Sequence, residues 1–150
     1  MPSIFSHAVV PVAASLGLGK VISRRLLVLS AFCTILPDFD TLAFKFGIPY
    51  SSQWGHRGFA HSITFAVCVA IVAMCFSRQL KSKVWMVGLM VFLAIVSYPL
   101  LDMCTNGGLG VALYWPYSNE RVFFDFRPIA VSPIGISRFF TERGFAVMKS

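Results

Sequence analysis

The chain has 150 residues, 57% of them hydrophobic and only 13% charged, with a mean hydropathy of +0.74. Soluble domains carry about 45–50% apolar and about 25% charged residues, so the composition excludes an ordinary water-soluble domain and indicates one membrane-embedded domain over 1–150. The formal net charge of +7 is dispersed through short stretches between apolar runs, a pattern of membrane topology rather than of a nucleic-acid-binding face.

Residues 1–19 carry no formal charge and predict a first apolar helix. Without Lys or Arg there, the positive region of an ordinary signal peptide is missing. "SRRLLVL" (23–29) superficially resembles a twin-arginine signal, but an apolar segment precedes it, so Arg24 and Arg25 read as loop charges. The next uncharged run, 26–37, is short for a span unless it starts near Gly19 and lets Arg24 and Arg25 snorkel. Pro37 is expected to end that helix, and "FGIPYSSQWG" (46–55) reads as a loop. Residues 58–77 are uncharged with His61 neutral, as are residues 84–101. A spanning helix needs roughly 20 apolar residues, with a range of about 17–25, so both runs predict spans. The expected fold is an all-α bundle of about four spanning helices.

Beyond these, "TNGGLG" (105–110) is rich in helix breakers and "LYWPY" (113–117) offers interfacial aromatics. "RVFFDF" (121–126) suits a short strand or an interfacial segment. "ISRFFTERGFAVMKS" (136–150) starts an expected fifth, amphipathic helix with no helix-ending signal, as in a chain truncated there. Cys33, Cys68, Cys75 and Cys104 form no CxxC pair and are expected to be small buried hydrophobes.

Charge orients the bundle. Lys20, Arg24 and Arg25 precede the second run, and Arg78, Lys81 and Lys83 follow the third, with no acid in either connection. Both connections should face the cytoplasm. The amino terminus, the 38–60 loop and the stretch after Leu101 then face outward.

On that topology His7, Asp38, Asp40, His56, His61 and Asp102 all fall at the outer surface. Ionisable groups at membrane depth are costly and usually paired or functional. Imidazole and carboxylate are ligands for zinc and related ions, and such an ion can acidify a water into a nucleophile. His56 and His61, five apart, are separated by about 140° on a helix and cannot share a face as an HExxH pair does. One is expected in the loop and one in the first helical turn. Each motif alone is weak: His7 could be an interfacial polar residue, Asp38 and Asp40 could cap a turn, His61 could hydrogen-bond across helices, and Asp102 could pair with Arg57. Joint placement at one surface favours a metal.

His7, "LPDFD" (36–40), "GHRGFAHS" (55–62) and "SYPLLDMCTNGGLGVALYWP" (97–116) resemble, in order and over most of the chain, the YdjM-like family of LexA-regulated inner-membrane proteins classed as metal-dependent hydrolases. The resemblance implies a multi-pass protein of the bacterial inner membrane and metal ligands at His7, Asp38, Asp40, His56, His61 and Asp102. Two positions depart from the family pattern. Ala60 stands where Thr is usual, and Tyr98 stands where His precedes the last Asp by four residues, on the same helix face.

The expected function is therefore metal-dependent hydrolysis at the outer face, with zinc the first choice and manganese the second. Asp40, His61, Arg57 and Tyr98 are the expected catalytic residues. Arg57, Arg121 and Arg127 could bind phosphate oxygens, which suggests a phosphoester or lipid-linked substrate, although loop arginines more often meet lipid headgroups. The competing reading is a non-enzymatic membrane stress-response protein with a structural or metal-stabilised polar cluster, favoured by Tyr98. A transporter is disfavoured, since the third and fourth runs carry no mid-span charge. The bilayer is the expected partner, and no nucleic-acid motif stands out.

Overall fold

The computed structural model of the chain describes residues 11–13, 17 and 22–129. His7, Lys20, most of the expected first helix and the expected fifth helix over 136–150 lie outside the described residues.

Helix α1 (Arg24–Cys33) starts at Ser23, whose Oγ accepts the Leu26 N–H at 3.1 Å, a side-chain cap on an otherwise orphaned donor. After a turn at Thr34 and Ile35 the chain continues as a 3-10 segment, Leu36–Phe46. Pro37 therefore does not end the helix as expected. It opens the 3-10 segment, in the first turn, where a missing N–H has no partner to lose. Gly47, at φ 73°, closes it. The two pieces give a 23-residue apolar stretch, Arg24–Phe46, long enough to cross a membrane. Much of the region expected as an outer loop thus belongs to this helical stretch, and exposed Phe39, Leu42, Phe44 and Phe46 give it an apolar surface.

A short 3-10 turn, Phe59–His61, leads into α2 (Ile63–Met74), capped by Ser62 Oγ accepting from Phe65 N–H at 3.0 Å. The helix has 12 residues, fewer than the run expected over 58–77. Gly58–Ser62 are taken up by the turn and cap, and turns replace the helix from Cys75 onward. Helix α3 (Val84–Met103) has 20 residues, is long and apolar enough to cross a membrane, and matches the expected run over 84–101. The fold is that of a helical membrane protein with two such stretches among the described residues.

Small buried residues on α2 (Ala66, Ala70, Ala73) let it approach α3, where Val87, Val91 and Ile95 are buried. Close approach through small residues is how helices gain van der Waals contact where lipid offers no hydrophobic drive. Leu26 and Cys33 of α1 join this core. All four cysteines are free, but only Cys33 is buried, while Cys68 and Cys75 are exposed on the apolar surface. Among the described residues no extended strand forms. Val122, in the segment expected as a short strand or interfacial piece, makes one isolated bridge to Val111.

The two basic connections lie side by side. Ser23 Oγ donates to Leu80 O, Arg25 Nη1 donates to Gln79 O at 2.7 Å, and Ser82 Oγ donates to Ser23 Oγ at 3.1 Å. From that end α1 and its 3-10 extension run to Asp38 and Asp40, and α3 runs to Asp102. The amino-terminal end of α2, beside His61, lies at the same far end.

Candidate metal centre

The loop before α2 can curl only because of its glycines. A Cβ on Gly55 would lie 2.3 Å from Pro49 O, and one on Gly58 would lie 2.1 Å from Gln53 O. Both are backbone collisions that no side-chain rotamer could relieve. Between them His56 and Arg57 turn inward, Arg57 with the left-handed φ of 63°, a conformation costly for a residue with a Cβ and held only by strong surroundings.

Those surroundings are polar and buried. Asp40 faces both histidines: Oδ1 lies 2.6 Å from His56 Nδ1, and Oδ2 lies 2.9 Å from His61 Nδ1. The Arg57 backbone N–H also donates to Asp40 Oδ2, at 3.0 Å. His61 Nε2 is 3.5 Å from Asp102 Oδ2, which is 3.0 Å from Arg57 Nε. The guanidinium continues to Gly107 O at 2.9 Å and Thr105 Oγ1 at 3.1 Å. Gly108, at φ +92°, has no room for a Cβ, which would lie 2.7 Å from Arg57 Nη1. Tyr98, one helical turn before Asp102, packs edge-on against His61 at 5.4 Å between ring centroids. Its hydroxyl interacts with the Asp38 carboxylate.

Six residues expected at the site from the sequence are thus in one cluster: Asp38, Asp40, His56, His61, Tyr98 and Asp102. Arg57 is there too, but it is 1% exposed and turned toward Asp102, Thr105 and Gly107. The pairing of Asp102 with Arg57, weighed from sequence as an alternative to ligation, is present. His7 lies outside the described residues. Arg127 is exposed and lies over the Phe123 ring, 5.0 Å from its centroid.

Arg121 has a role the sequence did not reveal. It donates to His56 O at 3.1 Å through Nη1, and to Tyr50 O at 3.1 Å and Ser52 O at 2.9 Å through Nη2. Partial burial pulls its pKa below the usual arginine value, against the pull of Tyr50 and Asp40. Tyr50 also packs on His56, with ring centroids 5.4 Å apart. Backbone acceptors leave no mark in a sequence, so only the fold could reveal this clamp.

The donor set fits a divalent cation. Ligand atoms of Asp38, His56 and His61 all lie within 4.8 Å of one another. Three carboxylates, of Asp38, Asp40 and Asp102, gather with two imidazoles in a nearly solvent-free cluster, and only Asp102 is paired with the Arg57 guanidinium. A neutral imidazole carries one N–H, yet both nitrogens of His61 face carboxylates. The longer separation, 3.5 Å from Nε2 to Asp102, is too long for a good hydrogen bond. It is close to the spacing of about 3.4 Å between two ligands of a tetrahedral ion with bonds of about 2.1 Å. Among the described residues Asp102 Oδ1, also buried, accepts no hydrogen bond.

Apolar helices with a buried His/Asp/Arg cluster at one end define a helical membrane protein with a candidate metal centre. The chain belongs to the YdjM inner membrane protein family, whose model matches residues 1–150. It is 41% identical over 152 residues to the inner membrane protein YbcI of Escherichia coli (strain K12), in an alignment covering 100% of this chain and 88% of that protein. Family and relative place the chain among bacterial inner-membrane proteins. No solved structure matches it.

Proposed function

We propose that the chain is a multi-pass inner-membrane, metal-dependent hydrolase whose site faces outward and acts on a phosphoester or lipid-linked substrate. The observation that carries the metal reading is the charge of the cluster: three carboxylates and two histidines against one guanidinium, almost without solvent. Carboxylates gathered with so little solvent are costly in a low dielectric, and a divalent ion held by Asp38, His56 and His61, whose ligand atoms lie within 4.8 Å of one another, would offset them.

Asp38, His56 and His61 are the ligands this reading assigns, with Asp102 beside them. Asp40 holds Nδ1 of each histidine, fixing the tautomer that leaves Nε2 free to ligate. When bound, zinc or manganese would supply Lewis acidity and an acidified water. Arg57, anchored by Asp102 and Thr105, holds the loop so that His56 and His61 converge. Its backbone N–H steadies Asp40. The Tyr98 hydroxyl, next to Asp38, can donate a hydrogen bond to that carboxylate. Arg127, exposed and free of carboxylate contacts among the described residues, is the guanidinium best suited to a phosphate oxygen.

One observation favours the second reading, a metal-stabilised structural cluster in a non-enzymatic stress-response protein. His61, Tyr98 and Asp102 are 0% exposed and His56 is 1% exposed, leaving little room for substrate. The test is metal content of protein purified without added metal, followed by turnover of a phosphodiester panel with zinc or manganese. Metal-free wild type overturns the site. Stoichiometric metal with no turnover of any phosphoester overturns the hydrolase and leaves the structural reading.

A further inference from the structure

At the end of the molecule away from the His/Asp cluster, a groove of about 370 Å³ opens between α2 and α3. Its walls include Val67, Ile71, Met74, Trp85, Leu89 and Phe92. Along α3 it runs from Trp85 to Phe92, about 10 Å at the helical rise. Gly88 forms part of the floor of this shallow, open groove, and a Cβ there would lie 2.8 Å from Met74 Sδ, so a side chain at this position would fill it. Val67, Ile71, Trp85 and Leu89 remain exposed.

The mouth of the groove is basic. Met74 ends α2, Trp85 is the second residue of α3, and the turn between them carries exposed Arg78, Lys81 and Lys83. The neighbouring connection adds exposed Arg24 and Arg25, bound to this turn through Ser23–Leu80 and Arg25–Gln79. The two joined connections together carry five cations and no acid in 22–25 or 75–85. Exposed Trp85, an amphipathic ring, lies where cation and hydrocarbon meet, the usual depth of an interfacial anchor.

We propose that this groove is a binding site for an anionic phospholipid. One acyl chain lies between α2 and α3, and the phosphodiester headgroup is held by Arg78, Lys81 and Lys83. Charge complementarity selects the occupant: a purely apolar partner, such as another segment of this chain or a second copy, would leave the cations at the mouth unmatched. Juxtamembrane cations attract anionic headgroups strongly enough to select among lipids. The site is independent of the metal centre.

The test uses the full chain in nanodiscs doped with phosphatidylglycerol or phosphatidylcholine carrying brominated acyl chains, which quench nearby tryptophan. The Trp85 signal is the part of the quenching lost in Trp85→Phe. Half-quenching should need about five-fold less brominated phosphatidylglycerol than phosphatidylcholine, the preference one well-placed cation confers. Arg78→Gln, Lys81→Gln and Lys83→Gln together should lower that ratio toward one, with Arg24 and Arg25 the cations that remain. Gly88→Leu should lower the maximal quenching by either lipid. Equal quenching of the wild type by both lipids would overturn the proposal in favour of unselective bilayer contact. No Trp85 quenching by either would overturn it in favour of a protein segment or second copy filling the groove. The wild-type comparison decides even where a variant fails to fold.

Discussion

Asp40 lies 2.6 Å from Nδ1 of His56 and reaches Nδ1 of His61 with its other oxygen, at 2.9 Å. One carboxylate thus orients two imidazoles from different parts of the loop. Asparagine keeps one acceptor oxygen, so Asp40→Asn should leave one histidine without its partner. Loss of such an orienting carboxylate typically costs 10–100-fold in metal affinity, and a chelator competition with zinc should show a weakening of that order. His56→Ala and His61→Ala, which remove a proposed ligand outright, should lose most bound metal. Asp125→Ala, at an exposed position, should retain it. Wild-type metal content in either histidine variant would reject the ligand assignment.

The Arg57–Asp102 pair tests what holds the cluster. Both side chains are buried, with Nε 3.0 Å from Oδ2. Removing one partner of such a pair typically costs about 3–5 kcal/mol, while replacing both with apolar residues can be near neutral. Asp102→Leu should therefore lower the thermal midpoint in detergent sharply, and Arg57→Met with Asp102→Leu should recover much of the loss. A double variant no better than the single one would mean that Thr105, Gly107 or a bound ion, rather than pairing with Asp102, sets the value of Arg57.

Topology follows from the basic connections, which the fold joins at one end. In a background without native cysteines, Ser51→Cys should react with a membrane-impermeant maleimide on spheroplasts. Gln79→Cys should react only after the membrane is opened. Both positions are exposed on the protein. The reverse pattern would turn the His/Asp cluster to the cytoplasm and end the outward-facing reading.

Arg121 holds the histidine loop by three backbone carbonyls, His56 among them. Arg121→Gln should weaken metal binding about ten-fold, at the lower end of the range for groups that position ligands. Arg121→Lys, which keeps the charge but not the fork, should recover only part. The cobalt-substituted protein supplies a second readout: its visible absorption should change in Arg121→Gln if His56 is displaced. An unchanged spectrum and affinity would reduce Arg121 to a surface contact.

The gathering of acids and histidines was legible in the sequence because topology is coarse. Counting uncharged runs was enough to send Asp38, Asp40, His56, His61 and Asp102 to one end. Lengths were less legible. The run over 58–77 is apolar throughout, yet Gly58 and the Ser62 cap delay α2 to Ile63, a local hydrogen-bonding choice that hydropathy does not register. Pro37 read as a terminator because α-helices stop there, but a 3-10 segment begins there instead. The direction of Arg57 was hidden for another reason. Its positive φ turns the side chain inward, whereas a loop arginine beside expected ligands reads naturally as a hand for phosphate.

Tyr98 is where the chain leaves the pattern of the family it resembles, and its setting makes the departure testable. The residue is fully buried, its ring meets His61 edge-on at 5.4 Å, and its hydroxyl interacts with Asp38. It is therefore no lipid-facing aromatic anchor. A phenol is a poor zinc ligand beside imidazole, but it can donate a hydrogen bond to the carboxylate and favour one of its oxygens for the ion. Tyr98→Phe keeps the ring packing and removes only that donor. Metal should remain bound at near-normal stoichiometry, with affinity reduced by about ten-fold as for other ligand-orienting groups, and hydrolysis should fall further than affinity if Asp38 must hold one orientation. Tyr98→His tests the other role. An imidazole one turn before Asp102 would face the same cluster and add a nitrogen ligand, so zinc affinity should rise above wild type. Isothermal titration of the metal-free protein reads both variants on one scale. Unchanged affinity in both would mean that Tyr98 serves only to pack against His61.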